Sequence, residues 1–227
     1  MNFEKFVLAA STADLSDAGA ASRHADALEY RLDLASEGVD ALDTDLALPV
    51  LVTNRVEAEG GEAPPTTERL DTLCRAVSQP AVEAVDIELS TLRSGRGERV
   101  VEHAREHGVA VVVSTHDFEG TPSRDRLQEL LTAADQWGDV AKLAVTATDA
   151  ADVLDLLAVT LEATRDGRTV ATMAMGEAGR HSRVVAPLYG SRIGYAPLDS
   201  EQATAPGQYD LETFRLLYDE LSSKHCT

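Results

Sequence analysis

The strongest constraint on this chain is a repeat. Short apolar runs alternate with amphipathic stretches at spacings of roughly 20 to 35 residues, the rhythm of successive βα units. Strand-like runs fall at Phe6–Ala10, Ala27–Asp33, Val50–Arg55, Ala84–Leu89, Val109–His116, Val140–Val145, Thr169–Met175 and Arg192–Tyr195, the last being the weakest pattern. Helical patterns lie between them at Thr67–Val77, Arg99–His107, Arg124–Trp137 and Ala150–Arg165, and Leu211–Ser222 reads as a closing helix. Eight such units predict an α/β fold, a single-domain (β/α)8 TIM barrel over residues 1–227. An open doubly wound sheet is the alternative, and the lack of a Gly-x-Gly-x-x-Gly turn after the first run weighs against it. The segment between the second and third runs is short, so a reduced helix is expected there.

Charge narrows the partners. With 39 acidic and 20 basic residues the net charge is −19, the wrong sign for attraction to nucleic acid or anionic membrane. No run of about 18 apolar residues, the length that could span a bilayer, occurs in the sequence. The opening stretch MNFEKFVLAASTADLSD carries acids where a secretory signal has a basic region, so a cytoplasmic location is expected. Cys74 and Cys226 lack metal-type spacing and read as incidental thiols.

Strand side chains alternate between faces, so residues two apart point the same way. Glu29, Arg31 and Asp33 share one face of the second run, and Asp86 and Glu88 one face of the fourth. Ser114 and His116 share a face of the fifth, Lys142 sits between Val140 and Ala144, and Met173 and Met175 alternate with Thr172 and Ala174. For one strand, a polar face commonly means a wet face. In a βα repeat the helices cover the outside, so this set is expected to point inward, paired as a network because buried charge is costly otherwise. Most of it falls late in the strands, the end where barrel enzymes place their active sites.

Within that set, an ammonium in a low-dielectric pocket favours the neutral amine, so Lys142 is a candidate imine former. Alone it could equally be a charge partner for Glu88 or Glu29, and a lone His116 is more often a core histidine. Together they offer an imine former and a proton shuttle, with Glu88 as a carboxylate able to fix the imidazole tautomer. Gly176 to Arg183 follows the seventh run and leads into a helix, where anions commonly bind; Arg183 could clamp a carboxylate. Gln202 to Gln208 is a small-residue loop suited to a lid.

These residues, taken in order, resemble the type I 3-dehydroquinases. The matching pieces are Glu29-Tyr30-Arg31-Leu32-Asp33, Arg55 with Glu59-Gly60-Gly61-Glu62, Asp86-Ile87-Glu88-Leu89 and Ser114-Thr115-His116-Asp117-Phe118. They continue with Lys142 in Ala-Lys-Leu-Ala-Val, Met173-Ala174-Met175-Gly176 through Gly179 to Ser182-Arg183, Tyr189-Gly190-Ser191 and Ala205-Pro206-Gly207-Gln208. The resemblance implies dehydration of 3-dehydroquinate, with Lys142 forming the imine, His116 moving protons and Glu88 orienting it. It gives Glu29, Arg31 and Arg55 the ring hydroxyls, Arg183 the carboxylate, Thr204 and Gln208 the lid contacts, and Asp86, Met173, Met175 and Tyr195 the pocket wall. It implies neither metal nor cofactor, and a homodimer. Tyr195 stands where the family often has Phe, and Thr204 where it often has Ser; Ser11 aligns poorly and receives no role. A Schiff-base aldolase or a non-catalytic binding barrel are the competing readings.

Lys5, Lys142 and Lys224 are the only lysines among the 20 basic residues. Strong acidity with few lysines fits a surface adapted to salt, although GC-rich coding would bias composition the same way. Thermal melts should therefore show higher stability in molar than in millimolar salt; superimposable melts would remove the salt explanation.

Overall fold

In the computed structural model, which describes residues 1–43, 45–199 and 207–223, the apolar runs form eight parallel strands. These are β1 (Val7–Thr12), β2 (Ala27–Arg31), β3 (Val50–Thr53), β4 (Val82–Glu88), β5 (Ala110–Asp117), β6 (Val140–Thr146), β7 (Val170–Met175) and β8 (Ile193–Pro197). They follow one another from β1 to β7 in sequence order, and β8 pairs back onto β1, giving the (β/α)8 barrel. The expected short connection between β2 and β3 holds only a 3-10 turn, Val39–Leu42.

Two apolar clusters show how the pleat is used. Outward side chains such as Leu28, Val85, Ile87, Val113 and Leu143 pack with Leu70, Leu73, Leu127, Leu131 and Leu156 of the helices. Inside the ring, Ala9, Ala27, Ala84, Val112, Val140, Ala171 and Ile193 form a separate apolar layer. Each of these precedes by two residues the side chain that the same strand offers to the site: Ser11, Glu29, Asp86, Ser114, Lys142, Met173 and Tyr195. The period of two therefore stacks a dry floor beneath a polar layer. Small floor residues on several strands leave room for the long side chains above them.

The helices start where side chains can take the free amides of a first turn. Thr66 caps Thr67–Val77, Asp149 caps Ala150–Arg165 and Asp210 caps Leu211–Ser222. Among the described residues, no helix is long and apolar enough to cross a membrane.

The ring closes between β7 and β8 by a different device from its other seams. Arg192 N donates to Val170 O at 2.7 Å, and beyond that single bridge the Ser191 hydroxyl accepts from the amide of Thr172 at 2.9 Å. Nearby, Gly194 keeps β8 thin: a Cβ there would lie 2.7 Å from both Phe6 Cζ and Phe214 Cζ. Phe214, fully buried, anchors the last helix against that spot, and Phe6 packs on Tyr218 at 4.4 Å between ring centroids. Phe214→Ala should cost about 3–5 kcal/mol, read as a lower denaturation midpoint; an unchanged midpoint would mean that the final helix is not held there.

Candidate active site

The polar layer opens at the C-terminal ends of the strands into a cleft of about 550 Å³, counted to its open mouth, with Lys142, His116, Arg55, Glu29 and Arg183 on its walls. Strand register explains the convergence. Ser114 is level with Lys142 across β5 and β6, and Glu88 with Ser114 across β4 and β5, so same-facing side chains of three neighbouring strands meet.

Lys142 is buried within an ionic network of the kind expected of the inward polar faces. Its Nζ lies 2.9 Å from Asp86 Oδ2 and 3.9 Å from Glu29 Oε1. It also sits 4.0 Å from the centre of the Tyr195 ring, a cation–π contact. Arg55 reaches the same carboxylate, with Nη2 2.8 Å from Asp86 Oδ2, and its Nη1 donates to Ser114 Oγ at 2.7 Å. Burial pushes the Asp86 carboxyl up, but Arg55 and Lys142 outweigh it and hold Asp86 well below the usual carboxylate range. Burial alone would lower the Arg55 guanidinium; Asp86 and Glu88 reverse this and keep it charged.

His116 shows where inference from strand alternation failed. Glu88, expected to orient the imidazole, is engaged elsewhere: it accepts from Arg55, Arg69, Thr91 and the Val56 amide. The carboxylate against the ring is Glu59, whose Oε2 lies 3.1 Å from Nδ1 and accepts the His116 amide at 3.1 Å. Glu59 comes from a 3-10 turn after β3, Glu57–Glu59, closed by Gly60 at φ 80°. The positive φ favours glycine there, and a Cβ would also lie 2.4 Å from the tip of the exposed Phe118 ring, which would have to swing aside. An ionised Glu59 can only accept, which puts the imidazole proton on Nδ1 and leaves the Nε2 lone pair free. Burial, aided by the cations Arg55 and Lys142, moves the imidazole well below its ordinary value of 6.5, so it is neutral at pH 7.

The remaining expected residues divide. Arg31 grips Asp33 in a fork, at 2.9 and 2.6 Å, and Asp33 also accepts the amides of Arg55 and Glu62. Glu29 accepts from Thr53 at 3.0 Å and from Ser11, the residue left without a role by the sequence. Arg183 lies on the short helix Ser182–Val185 after β7, 5% exposed, and its Nε and Nη2 have no partner among the described residues. Burial lowers its guanidinium to about 10, which still leaves it charged at pH 7. Met173, Met175, Tyr195 and Gln208 line the cleft; Thr204 lies outside the described residues. Asp86 is covered beneath Lys142 and Arg55 and forms no part of the wall. Burial first, then Glu29 and Asp86, push the Tyr195 phenol well above its usual value, so it stays un-ionised, and its hydroxyl has no hydrogen-bond partner among the described residues.

Fold and site together define a (β/α)8-barrel enzyme in which a lysine and a neutral histidine share one cleft with an arginine whose Nε and Nη2 have no partner among the described residues. The sequence profile of the type I 3-dehydroquinases matches residues 7–225. The 3-dehydroquinate dehydratase of Haloarcula marismortui is 54% identical over 228 residues, covering 98% of this chain and 99% of the relative. That of Halobacterium salinarum is 48% identical, covering 97% and 100%. Among solved structures, the 3-dehydroquinate dehydratase of Geobacillus kaustophilus superposes with a TM-score of 0.85 at 30% identity, over 98% of this chain and 93% of that one. The chain belongs to the type I 3-dehydroquinase family, and with it to the hydro-lyases. Family membership decides between the readings that shared Lys142, against an aldolase and against a non-catalytic barrel.

The lowered imidazole has a consequence for stability. As pH falls through about 6.5 the unfolded chain protonates His116 while the folded chain does not, so acid favours unfolding; above that pH both forms are neutral and the contribution is flat. Denaturant titrations between about pH 5 and 6.5 should show native stability rising with pH more steeply than that of His116→Asn. Parallel curves would contradict the burial of a neutral ring.

Proposed function

We propose that the protein converts 3-dehydroquinate to 3-dehydroshikimate and water through an imine on Lys142, the third step of the shikimate pathway, as a single catalytic domain. One observation carries the reading: Lys142, the neutral His116 and a buried Arg183, whose Nε and Nη2 have no partner among the described residues, face one cleft.

Arg183 supplies a charge and a fork for the ring carboxylate, which fixes the substrate at the β7 side of the cleft. Arg31, Arg55 and Glu29 then meet the hydroxyls. Lys142 attacks the ketone carbon as the free amine, and the proton its ammonium gives up goes to the carbonyl oxygen, so that His116 stays neutral for the next step. Loss of the carbonyl oxygen as water gives the protonated imine, an electron sink. The free nitrogen of His116 removes a proton from the adjacent carbon. The resulting enamine expels the hydroxyl group, and the imidazolium returns the proton to it as it leaves as water. Hydrolysis of the imine frees the product and the lysine. Glu59 steadies the imidazolium during this exchange, the position the sequence assigned to Glu88. Gln208 and Thr204 serve the lid. The family resemblance supports a homodimer in the cytoplasm.

Incubation with 3-dehydroquinate followed by borohydride should reduce the imine and leave a stable adduct on Lys142, located by mass spectrometry. Lys142→Ala should lose both adduct and turnover. His116→Ala should still form the adduct while turnover falls by about 10²–10⁴-fold. Native-rate turnover by Lys142→Ala would end the imine mechanism.

A further inference from the structure

Arg55 owes its position to an ion pair behind the cleft. Arg69, on the helix Thr67–Val77, is 5% exposed, and Glu88, at the end of β4, is 1% exposed. They meet as fork and carboxylate, with Nη2 3.0 Å from Oε2 and Nη1 3.3 Å from Oε1. Three bonds run from this pair to the segment that carries Arg55. Arg69 Nη1 donates to the Asn54 carbonyl at 2.6 Å. The Val56 amide donates to Glu88 Oε1 at 3.1 Å, and Arg55 Nη1 donates to the same oxygen at 3.2 Å. Residues 54, 55 and 56 are thus each tied to one buried pair. The Thr91 hydroxyl closes the far side, accepting from Arg69 Nη2 at 3.1 Å and donating to Glu88 Oε2 at 3.0 Å. Arg69 itself does not line the cleft.

The charges explain why the pair matters. Arg55 faces two buried carboxylates, Asp86 and Glu88. With Arg69 in place Glu88 is neutralised from outside the barrel, and Arg55 can keep its Nη2 on Asp86 and its Nη1 on Ser114. Without Arg69, Glu88 becomes a buried anion with one cation left, and a charge in that state recruits what it can reach. Arg55 is then drawn toward Glu88 and off Asp86. The backbone at Asn54 also loses its anchor at the point where β3 turns toward the 3-10 turn bearing Glu59.

We propose that Arg69 is a positioning residue of this enzyme, setting through Glu88 where Arg55 is presented to substrate. The proposal rests on the reading of the cleft as the dehydroquinate site. Its test is steady-state kinetics with 3-dehydroquinate on the native protein, Arg69→Met and Arg69→Lys, each rate expressed per site counted by borohydride trapping. Counting sites removes unfolded protein from the comparison. Arg69→Met should raise KM about tenfold while kcat stays within about threefold, because misplacement of a substrate-holding group is felt chiefly in binding. Arg69→Lys keeps the charge and loses the fork, and should raise KM by about threefold; it carries the test if Arg69→Met does not fold. The double variant Arg69→Met/Glu88→Gln removes both charges and should bring KM back toward the native value. Native KM in Arg69→Met, or in Arg69→Lys where Arg69→Met does not fold, would overturn the proposal, as would a double variant worse than Arg69→Met. A native protein that neither turns over nor traps would instead overturn the reading of the cleft, and the proposal with it.

Discussion

Three donors converge on Asp86, a carboxylate with no exposed side-chain surface: Lys142, Arg55 and Ser114. Ions so deeply buried are tolerated only where their partners are fixed, since the cost of removing charge from water is recovered by close, well-aligned pairing. The barrel supplies that fixity through register. Asp86, Ser114 and Lys142 lie on adjacent strands whose pairing is continuous through this level. Beneath them the apolar floor keeps water from the far side of the pairs, which strengthens each interaction. The cleft is thus a charged layer built on a dry one, and its geometry follows from the sheet before any loop is considered.

Loops then add what strands cannot. Asp33 lies just beyond β2, yet it accepts the Arg31 fork and the amides of Arg55 and Glu62, so one carboxylate joins two strand ends and a loop. Gly61 permits the loop to lie directly on the chain just past β3: a Cβ there would fall 2.0 Å from the Arg55 carbonyl oxygen. Through this turn Glu59 arrives beside His116. The His116 imidazole is held by a loop residue, while the Lys142 amine is held by strand residues.

The difference between those two sources marks what the sequence made legible. Alternation with a period of two was enough to place Glu29, Arg31, Asp86, Glu88, Ser114, His116, Lys142, Met173 and Met175 on inward faces, because facing is a local property of a strand. The eighth strand read weakly since Gly194 and Pro197 dilute its pattern, although β1 fixes where it lies. Partner choice was less accessible. Glu88 is level with Ser114, two residues short of His116, so it turns to Arg55 and Arg69, and the imidazole takes Glu59 from a segment that no periodicity describes. Glu59 stood in the quoted Glu-Gly-Gly match, and the paired glycines were the one available sign of a close-packed turn. The strand end at Ser11 aligns poorly with the family, so nothing in the sequence marks a hydroxyl that donates to Glu29. Nothing about Arg69 in a helical pattern distinguishes it from a solvated arginine, since its burial depends on where β4 ends.

The closure at Ser191 has a mechanical meaning. Seven seams of the ring are backbone ladders, while the eighth relies on one bridge and a serine hydroxyl. Arg183 and Gln208 belong to segments that leave the barrel on either side of that eighth seam, whereas His116 and Lys142 stand on the uninterrupted arc from β4 to β6. Backbone bonding is consequently sparsest on the side of the ring that presents Arg183 and Gln208 and continuous on the side that presents His116 and Lys142.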